Sequence, residues 1–227
     1  MSKGKIASIK LTCYNKDVYE PSDDSFLLAD ALLELSTSWR KGWPRIALEI
    51  GSGSGYIITS LALILQNSAG APTRSTHQLF ATDLNPAAAA ATLETLQAHG
   101  VANSTDLLIT DLASGILPRL AGAVDLLLFN PPYVPTPEEE VERGGIAAAW
   151  AGGWKGRRVI DRLMPLIPQL LSESGEMLMV TVPDNDPQEL IQIMNRHGFT
   201  GMIVAERAAD EEFLQILHFQ RRSAPSS

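Results

Sequence analysis

Gly51-Ser52-Gly53-Ser54-Gly55 constrains this chain more than any other stretch. It follows Arg45-Ile46-Ala47-Leu48-Glu49-Ile50, a short run with the composition of a buried strand, and precedes Tyr56 to Gln66, an apolar run of helical length. Strand, glycine-rich turn and helix make a nucleotide-binding βα unit. The glycines let backbone pass close to a ligand and tolerate positive φ. The helix N-terminus supplies unpaired N–H groups and positive potential. The same alternation runs down the chain. Strands are predicted over 79–84, 105–110, 124–129, 176–182, 199–207 and 212–220, the last two a hairpin turned at Ala208-Ala209-Asp210. Helices are predicted over 26–35, capped by Ser22 or Asp23, over 86–99 with Gly100 as the stop, over 156–172 with breaks at Pro165 and Pro168, and over 187–197. The pattern is α/β: a single doubly wound, mostly parallel seven-stranded sheet with an antiparallel C-terminal strand. No linker divides residues 1–227, which read as one domain, with 1–17 and 221–227 loose.

A net charge of −8 argues against a broad nucleic-acid footprint, which is normally basic. The single cysteine, Cys13, allows no internal disulfide and has no nucleophile motif around it. No apolar h-region follows the N-terminus, and no run approaches a membrane span, so neither a signal peptide nor a membrane partner is expected. No metal-ligand pattern is read. The expected location is a reducing one, the cytoplasm, with the nucleus also open.

Three carboxylates fall at successive strand ends: Glu49, Asp83 and Asp111. Each alone suits a helix cap or a loop charge. Together they line one rim of one sheet, where open α/β folds bind ligands. The turn is Gly-x-Gly-x-Gly rather than Gly-x-Gly-x-x-Gly, and Glu49 stands two residues before its first glycine. A carboxylate there would repel a pyrophosphate and attract an ammonium or a ribose, as in S-adenosylmethionine. After the fourth strand comes Asn130-Pro131-Pro132-Tyr133. Its amide oxygen, its carbonyls without proline N–H partners and its aromatic ring suit a planar –NH₂ group.

These residues resemble the class I S-adenosylmethionine-dependent methyltransferases, with their Rossmann-like fold. Asn-Pro-Pro-Tyr in that superfamily marks methylation of a planar nitrogen. The segment Val18-Tyr19-Glu20-Pro21-Ser22-Asp23-Asp24-Ser25-Phe26-Leu27-Leu28 is similar to the start of the short, eukaryotic and archaeal HemK-type release-factor glutamine methyltransferases. The resemblance implies cofactor contacts from Ser25, Glu49, Gly51, Gly53, Asp83, Leu84, Asp111, Leu112 and Asn130. It implies catalysis by Asn130, Pro131 and Tyr133, with the substrate amide bound by Asn130, Pro131, Pro132 and Tyr133. The implied substrate is the glutamine of the Gly-Gly-Gln loop of a class-1 release factor. A small zinc-binding activator is the implied partner, docked on an exposed sheet edge; Leu79-Phe80-Ala81 and Leu107-Leu108-Ile109 are candidates, although buried strands look the same. The polar loop 67–78 carries no assigned role.

Other acceptors fit the same tetrapeptide. A protein lysine methyltransferase would use the acidic run Glu138-Glu139-Glu140 to hold a basic peptide. An adenine methyltransferase would have to flip a base and hold phosphates, for which Arg143, Lys155, Arg157 and Arg158 form the local basic cluster. A cofactor-binding scaffold without turnover is disfavoured by the intact tetrapeptide.

Overall fold

The structure, a computed structural model, describes residues 6–40, 43–68, 77–143, 145–209 and 212–222. The chain divides into two compact units, Met1–Gly115 and Ile116–Ser227.

The first unit holds α1 (Asp23–Ser36), β1 (Ile46–Ile50), α2 (Tyr56–Ser68), β2 (Gln78–Asp83), α3 (Pro86–Ala98) and β3 (Thr105–Ile109). Its strands run parallel, β2 between β1 and β3. Leu48, Ile58, Leu61 and Phe80 make its fully buried core. Asn85 caps α3 by accepting from the Ala87 N–H at 2.9 Å, and Pro86 occupies the first helical position, where a missing N–H costs nothing. Gly100 lies just past the helix at φ 73°, the expected stop. Ser22 occupies the N-cap position of α1 but makes no side-chain cap bond. The segment 6–17, expected to be loose, is tied down by tertiary hydrogen bonds, among them Ala7 N–H to Ser60 Oγ, Ser8 N–H to His99 Nε2, Cys13 N–H to Thr95 Oγ1 and Asn85 Nδ2 to the Asp17 carbonyl.

The second unit holds α4 (Leu117–Leu120), β4 (Val124–Phe129), α5 (Glu138–Glu142), α6 (Arg158–Leu163), α7 (Ile167–Leu170), β5 (Leu171–Thr181), α8 (Pro187–Arg196), β6 (Phe199–Ala209) and β7 (Glu212–Arg221). β4 is buried along its whole length. β7 runs antiparallel to β5 and to β6. The strand order is β3-β2-β1-β4-β5-β7-β6 in one seven-stranded sheet, the expected mostly parallel arrangement with one antiparallel C-terminal strand.

Some boundaries differ. Over 156–172 the chain forms two short helices: Pro165 breaks the run as expected, whereas Pro168 falls in the first turn of α7, where its missing N–H costs nothing, and Leu171 and Ser172 already belong to β5. The irregular stretch 135–153 contains α5 and a 3₁₀ segment, Gly145–Ala149. Ala208 and Ala209 still pair in β6; Asp210 of the expected turn, Gly144, most of the 67–78 loop and the tail beyond 222 lie outside the described residues. Arg221 is bound by its guanidinium to the carbonyls of Pro168, Leu171 and Ser172.

Candidate functional site

The glycine-rich turn is gripped from two sides. Gly51 and Ser52 both donate backbone N–H groups to the Thr82 carbonyl at the end of β2. From α3, the buried Thr92 hydroxyl reaches Ser52 Oγ at 2.9 Å, and Thr95 donates to the Ser54 carbonyl at 2.7 Å. Gly55, at φ 79°, lies against α3 so closely that a Cβ would stand 2.7 Å from the Thr92 Cα. Gly53, at φ 53°, is the opposite case: a Cβ there would meet nothing within 4 Å. One glycine is needed for packing between elements, the other beside open space.

Asp83, half-buried at the end of β2, ties this turn to the next helix. Its Oδ2 accepts from the Gly53 N–H at 2.9 Å and its Oδ1 from the Asn85 N–H at 2.8 Å. Burial raises its pKa above the ordinary 3.8, and the backbone N–H groups of Asn85, Gly53 and Leu84 oppose that shift. Three backbone donors leave the carboxylate with acceptor capacity for a further donor. Leu84, next in sequence, is 66% exposed.

Glu49 is buried in β1, with 2% of its surface exposed. Burial pushes its pKa well above 4.5; the Ile58 N–H, in the first turn of α2, pulls it down, and the nearby Asp83 charge pushes it up. Its Oε2 has no hydrogen-bond partner among the described residues. A buried, unsatisfied carboxylate oxygen is costly unless a cation or donor arrives to meet it.

Asp111 and Leu112 follow β3, both half-buried. Leu112 sits at φ 50°, which costs a leucine roughly 1–2 kcal/mol and fixes the chain direction beside the strand end. Ser25 is buried in the first turn of α1, its hydroxyl 3.1 Å from Asp24 Oδ1. Gly51 is exposed at φ 72°. Cys13 donates its thiol to Glu94 Oε2 at 3.0 Å; that bond, then burial, pushes its pKa up to about 11, so it is not a thiolate at neutral pH.

In the second unit, Asn130 is half-buried with its side-chain oxygen inside, Pro131 and Tyr133 are buried and Pro132 is half-buried. The Tyr133 hydroxyl donates to Glu212 Oε2 at 2.9 Å. The basic cluster is largely neutralised. Arg157, 6% exposed, is paired with Asp161 and Glu189; Arg158 with Glu138; Lys155 with Asp186 at 3.7 Å. Residues absent from the sequence-based list act here: Asn185, Glu212, Gly152 and Gly156 in this unit, Thr92 and Thr95 in the first. Asn185 offered a signal, since it too lies just past the carboxyl end of a buried strand. The threonines offered none, because in sequence they are ordinary helix-interior residues.

Among the described residues, no cluster of three or more His, Cys, Asp or Glu side chains could hold a metal, and no helix is long and apolar enough to cross a membrane.

The sheet order, the glycine turn and the strand-end carboxylates define a class I methyltransferase fold. No protein-family model matches the chain. Methyltransferase HEMK2 of Homo sapiens is 46% identical over 205 residues, covering 90% of each chain. The catalytic subunit mtq2 of the eRF1 methyltransferase of Schizosaccharomyces pombe is 34% identical over 215 residues, covering 91% of this chain and 90% of its own. Among solved structures, the E. cuniculi Mtq2–Trm112 complex, responsible for methylation of the eRF1 termination factor, superposes with a TM-score of 0.62 at 25% identity, over 91% of this chain and 99% of that one. The chain belongs to the HemK-type S-adenosylmethionine-dependent methyltransferases.

The residues present fit that cofactor. The unsatisfied Glu49 oxygen suits an ammonium group, Asp83 keeps lone pairs for hydroxyl donors, and the space beside Gly53 admits a ligand against backbone. Leu84 offers an exposed apolar face that a bound ring would cover.

Proposed function

We propose that this chain methylates the glutamine side-chain amide in the Gly-Gly-Gln loop of a class-1 release factor, as the catalytic subunit beside a small zinc-binding activator. The observation that carries this is the 34% identity, across nine-tenths of both chains, with a relative that is itself the catalytic subunit of an eRF1 methyltransferase. Glu49, Gly51, Gly53, Asp83, Leu84, Asp111, Leu112 and Ser25 hold the cofactor. Bound there, S-adenosylmethionine supplies a methyl group already activated by its sulfonium.

A glutamine amide nitrogen is a weak nucleophile, because its lone pair is delocalised into the carbonyl. The Asn130 Oδ1 and the Pro131 carbonyl accept its two N–H protons, fix its orientation and draw electron density onto the nitrogen. Pro132 shapes the slot, and the Tyr133 ring packs on the amide plane. Such alignment is worth ~7–11 kcal/mol of barrier. The one N–H proton that the methyl group replaces would pass to solvent water, so no separate general base is called for.

Three observations support a protein acceptor over a nucleic acid. The chain is acidic, Arg157 and Arg158 are committed to carboxylates, and Lys155 is within 4 Å of Asp186. Glu138, from the acidic run that would suit a lysine peptide, is engaged by Arg158 Nη1 and the Trp154 N–H. The activator edge is narrowed: Leu79, Phe80 and Ala81 are buried in β2 between two strands, whereas β3 is an end strand with Ile109 59% exposed. A release factor as substrate supports a cytoplasmic location, and a nuclear one is compatible with the same reading.

The test is transfer of labelled methyl to a class-1 release factor, a histone-tail peptide and duplex DNA, each with and without the activator. Label on the Gly-Gly-Gln glutamine, lost in the Asn130→Ala enzyme while cofactor still binds, is the expected result. Label confined to lysine or to DNA overturns the substrate assignment, and near wild-type transfer by Asn130→Ala overturns the amide clamp.

A further inference from the structure

Pro131 and Pro132 lack N–H groups, so two successive residues of the acceptor loop cannot be fixed by donating to a neighbouring strand. Beside the Val134 N–H, which donates to the Trp150 carbonyl at 3.1 Å, the loop is positioned through its carbonyls and its tyrosine. The structure shows what grips it. Asn185, fully buried just after β5, donates its side-chain NH₂ to the Tyr133 carbonyl at 2.9 Å and to the Lys155 carbonyl at 2.8 Å, while its Oδ1 accepts from the Val182 N–H at 2.8 Å. One side chain thus ties together the acceptor loop, the 154–156 turn and the end of β5.

The turn presses from the other side. A Cβ on Gly156, which sits at φ 67°, would overlap the Tyr133 carbonyl oxygen at 1.8 Å, and one on Gly152 would lie 2.5 Å from the Pro132 carbonyl oxygen. Lys155, between these glycines, holds an unfavourable φ of 55°, and its carbonyl is one of the two that Asn185 binds. Left-handed backbone at a non-glycine residue persists only where its surroundings hold it.

We propose that Asn185 is a positioning residue for methyl transfer. By fixing the Tyr133 carbonyl against Gly156, it sets the height and tilt at which Asn130 and Pro131 present the acceptor amide. It touches neither cofactor nor acceptor and acts only through the loop. This rests on the amide-clamp assignment of Asn130 to Tyr133. A buried amide with both ends engaged cannot be replaced without leaving two carbonyls unpaired, and a shift of about 1 Å at a reacting atom can cost on the order of 100-fold in rate.

The test uses the full chain with its activator. Asn185→Asp keeps the shape and the Oδ1 acceptor but puts an oxygen where the two carbonyls need a donor; Asn185→Ala removes both. Met194→Ala, a buried deletion in α8, nine residues on from Asn185, is the control for stability loss alone. Single-turnover transfer at saturating cofactor and acceptor, at a temperature where all three are folded, is expected to fall at least tenfold for both Asn185 variants. Their cofactor Kd should stay within twofold of wild type, and Met194→Ala should keep the wild-type rate. Asn185 variants that keep the wild-type rate, or a control that loses as much, overturn the proposal. If neither Asn185 variant folds, the wild-type protein decides: the Asn185 side-chain amide resonance should move on addition of acceptor, and an unmoved resonance overturns the proposal. Wild-type enzyme inactive on release factor instead counts against the substrate assignment, and the variants are then compared on whichever acceptor the wild type methylates.

Discussion

Asp83 Oδ2 accepts the Gly53 N–H at 2.9 Å while Oδ1 of the same carboxylate accepts the Asn85 N–H at 2.8 Å. One side chain therefore fixes both the glycine turn and the start of α3. Asp83→Asn should separate the two roles. The amide relieves a carboxylate whose charge burial disfavours, but sets an NH₂ against at least one backbone donor. These effects oppose each other, so thermal stability of the free protein should change by no more than about 1 kcal/mol. Cofactor affinity should fall at least tenfold, about 1.4 kcal/mol or more, by calorimetric titration. Unchanged affinity would remove Asp83 from the cofactor site.

Glu49 gives a pH signature. Its folded-state pKa lies above the unfolded value near 4.5, so its contribution to stability is fully present below that pH and is lost as pH rises through the folded pKa. The free wild-type protein should therefore lose stability on going from mildly acidic to neutral pH, and Glu49→Gln should flatten that slope. A cation meeting Oε2 would favour the ionised form, so cofactor binding should release a proton. Denaturant melts across pH 5–8 for both proteins, with titrations in buffers of different ionisation enthalpy, measure both effects. Equal slopes for wild type and Glu49→Gln would show that the carboxylate is not what titrates.

Gly55→Ala should be costly although it adds one methyl group. The new Cβ would meet the Thr92 backbone at 2.7 Å, on a residue at φ 79° that alanine rarely adopts. Backbone of a packed helix cannot yield as a side-chain tip can, so a loss of about 1–3 kcal/mol is expected. Gly53→Ala meets no atom and should destabilise less, yet weaken cofactor binding more. Paired melts and cofactor titrations of the two variants settle the order.

The parts legible from sequence were those where local chemistry and position agree. Asn85-Pro86 and Gly100 bracket α3 because cap and stop residues act through their own backbone. The burial of β4 from Val124 to Phe129 is a direct consequence of its unbroken apolar run. What escaped was set by tertiary partners. Asn185 reads as a turn residue until Tyr133 and Lys155 are brought to its amide, and Leu171 reads as helical until it pairs with Val124. Of the two apolar runs offered as an exposed edge, periodicity could not choose, since β2 and β3 have similar composition; only strand order separates a central strand from an end one.

Ile109 turns that distinction into a final prediction. It ends β3, the outermost strand at that side of the sheet, and is 59% exposed, while Leu107 and Leu108 before it are half-buried. An end strand with an apolar, uncharged face is a template for pairing with another chain. The proposed activator would cover it, removing both the open backbone edge and the Ile109 side chain from water. A lysine at this position keeps strand geometry but places a charge in the covered surface, a standard way in which natural edges resist pairing. Ile109→Lys should make the chain expressed alone more soluble and should reduce co-purification with the activator at least tenfold, with the β-sheet signal of the isolated chain unchanged. Release-factor methylation should fall in parallel with complex formation and recover at high activator concentration. Full co-purification of the Ile109→Lys chain would move the activator to another surface.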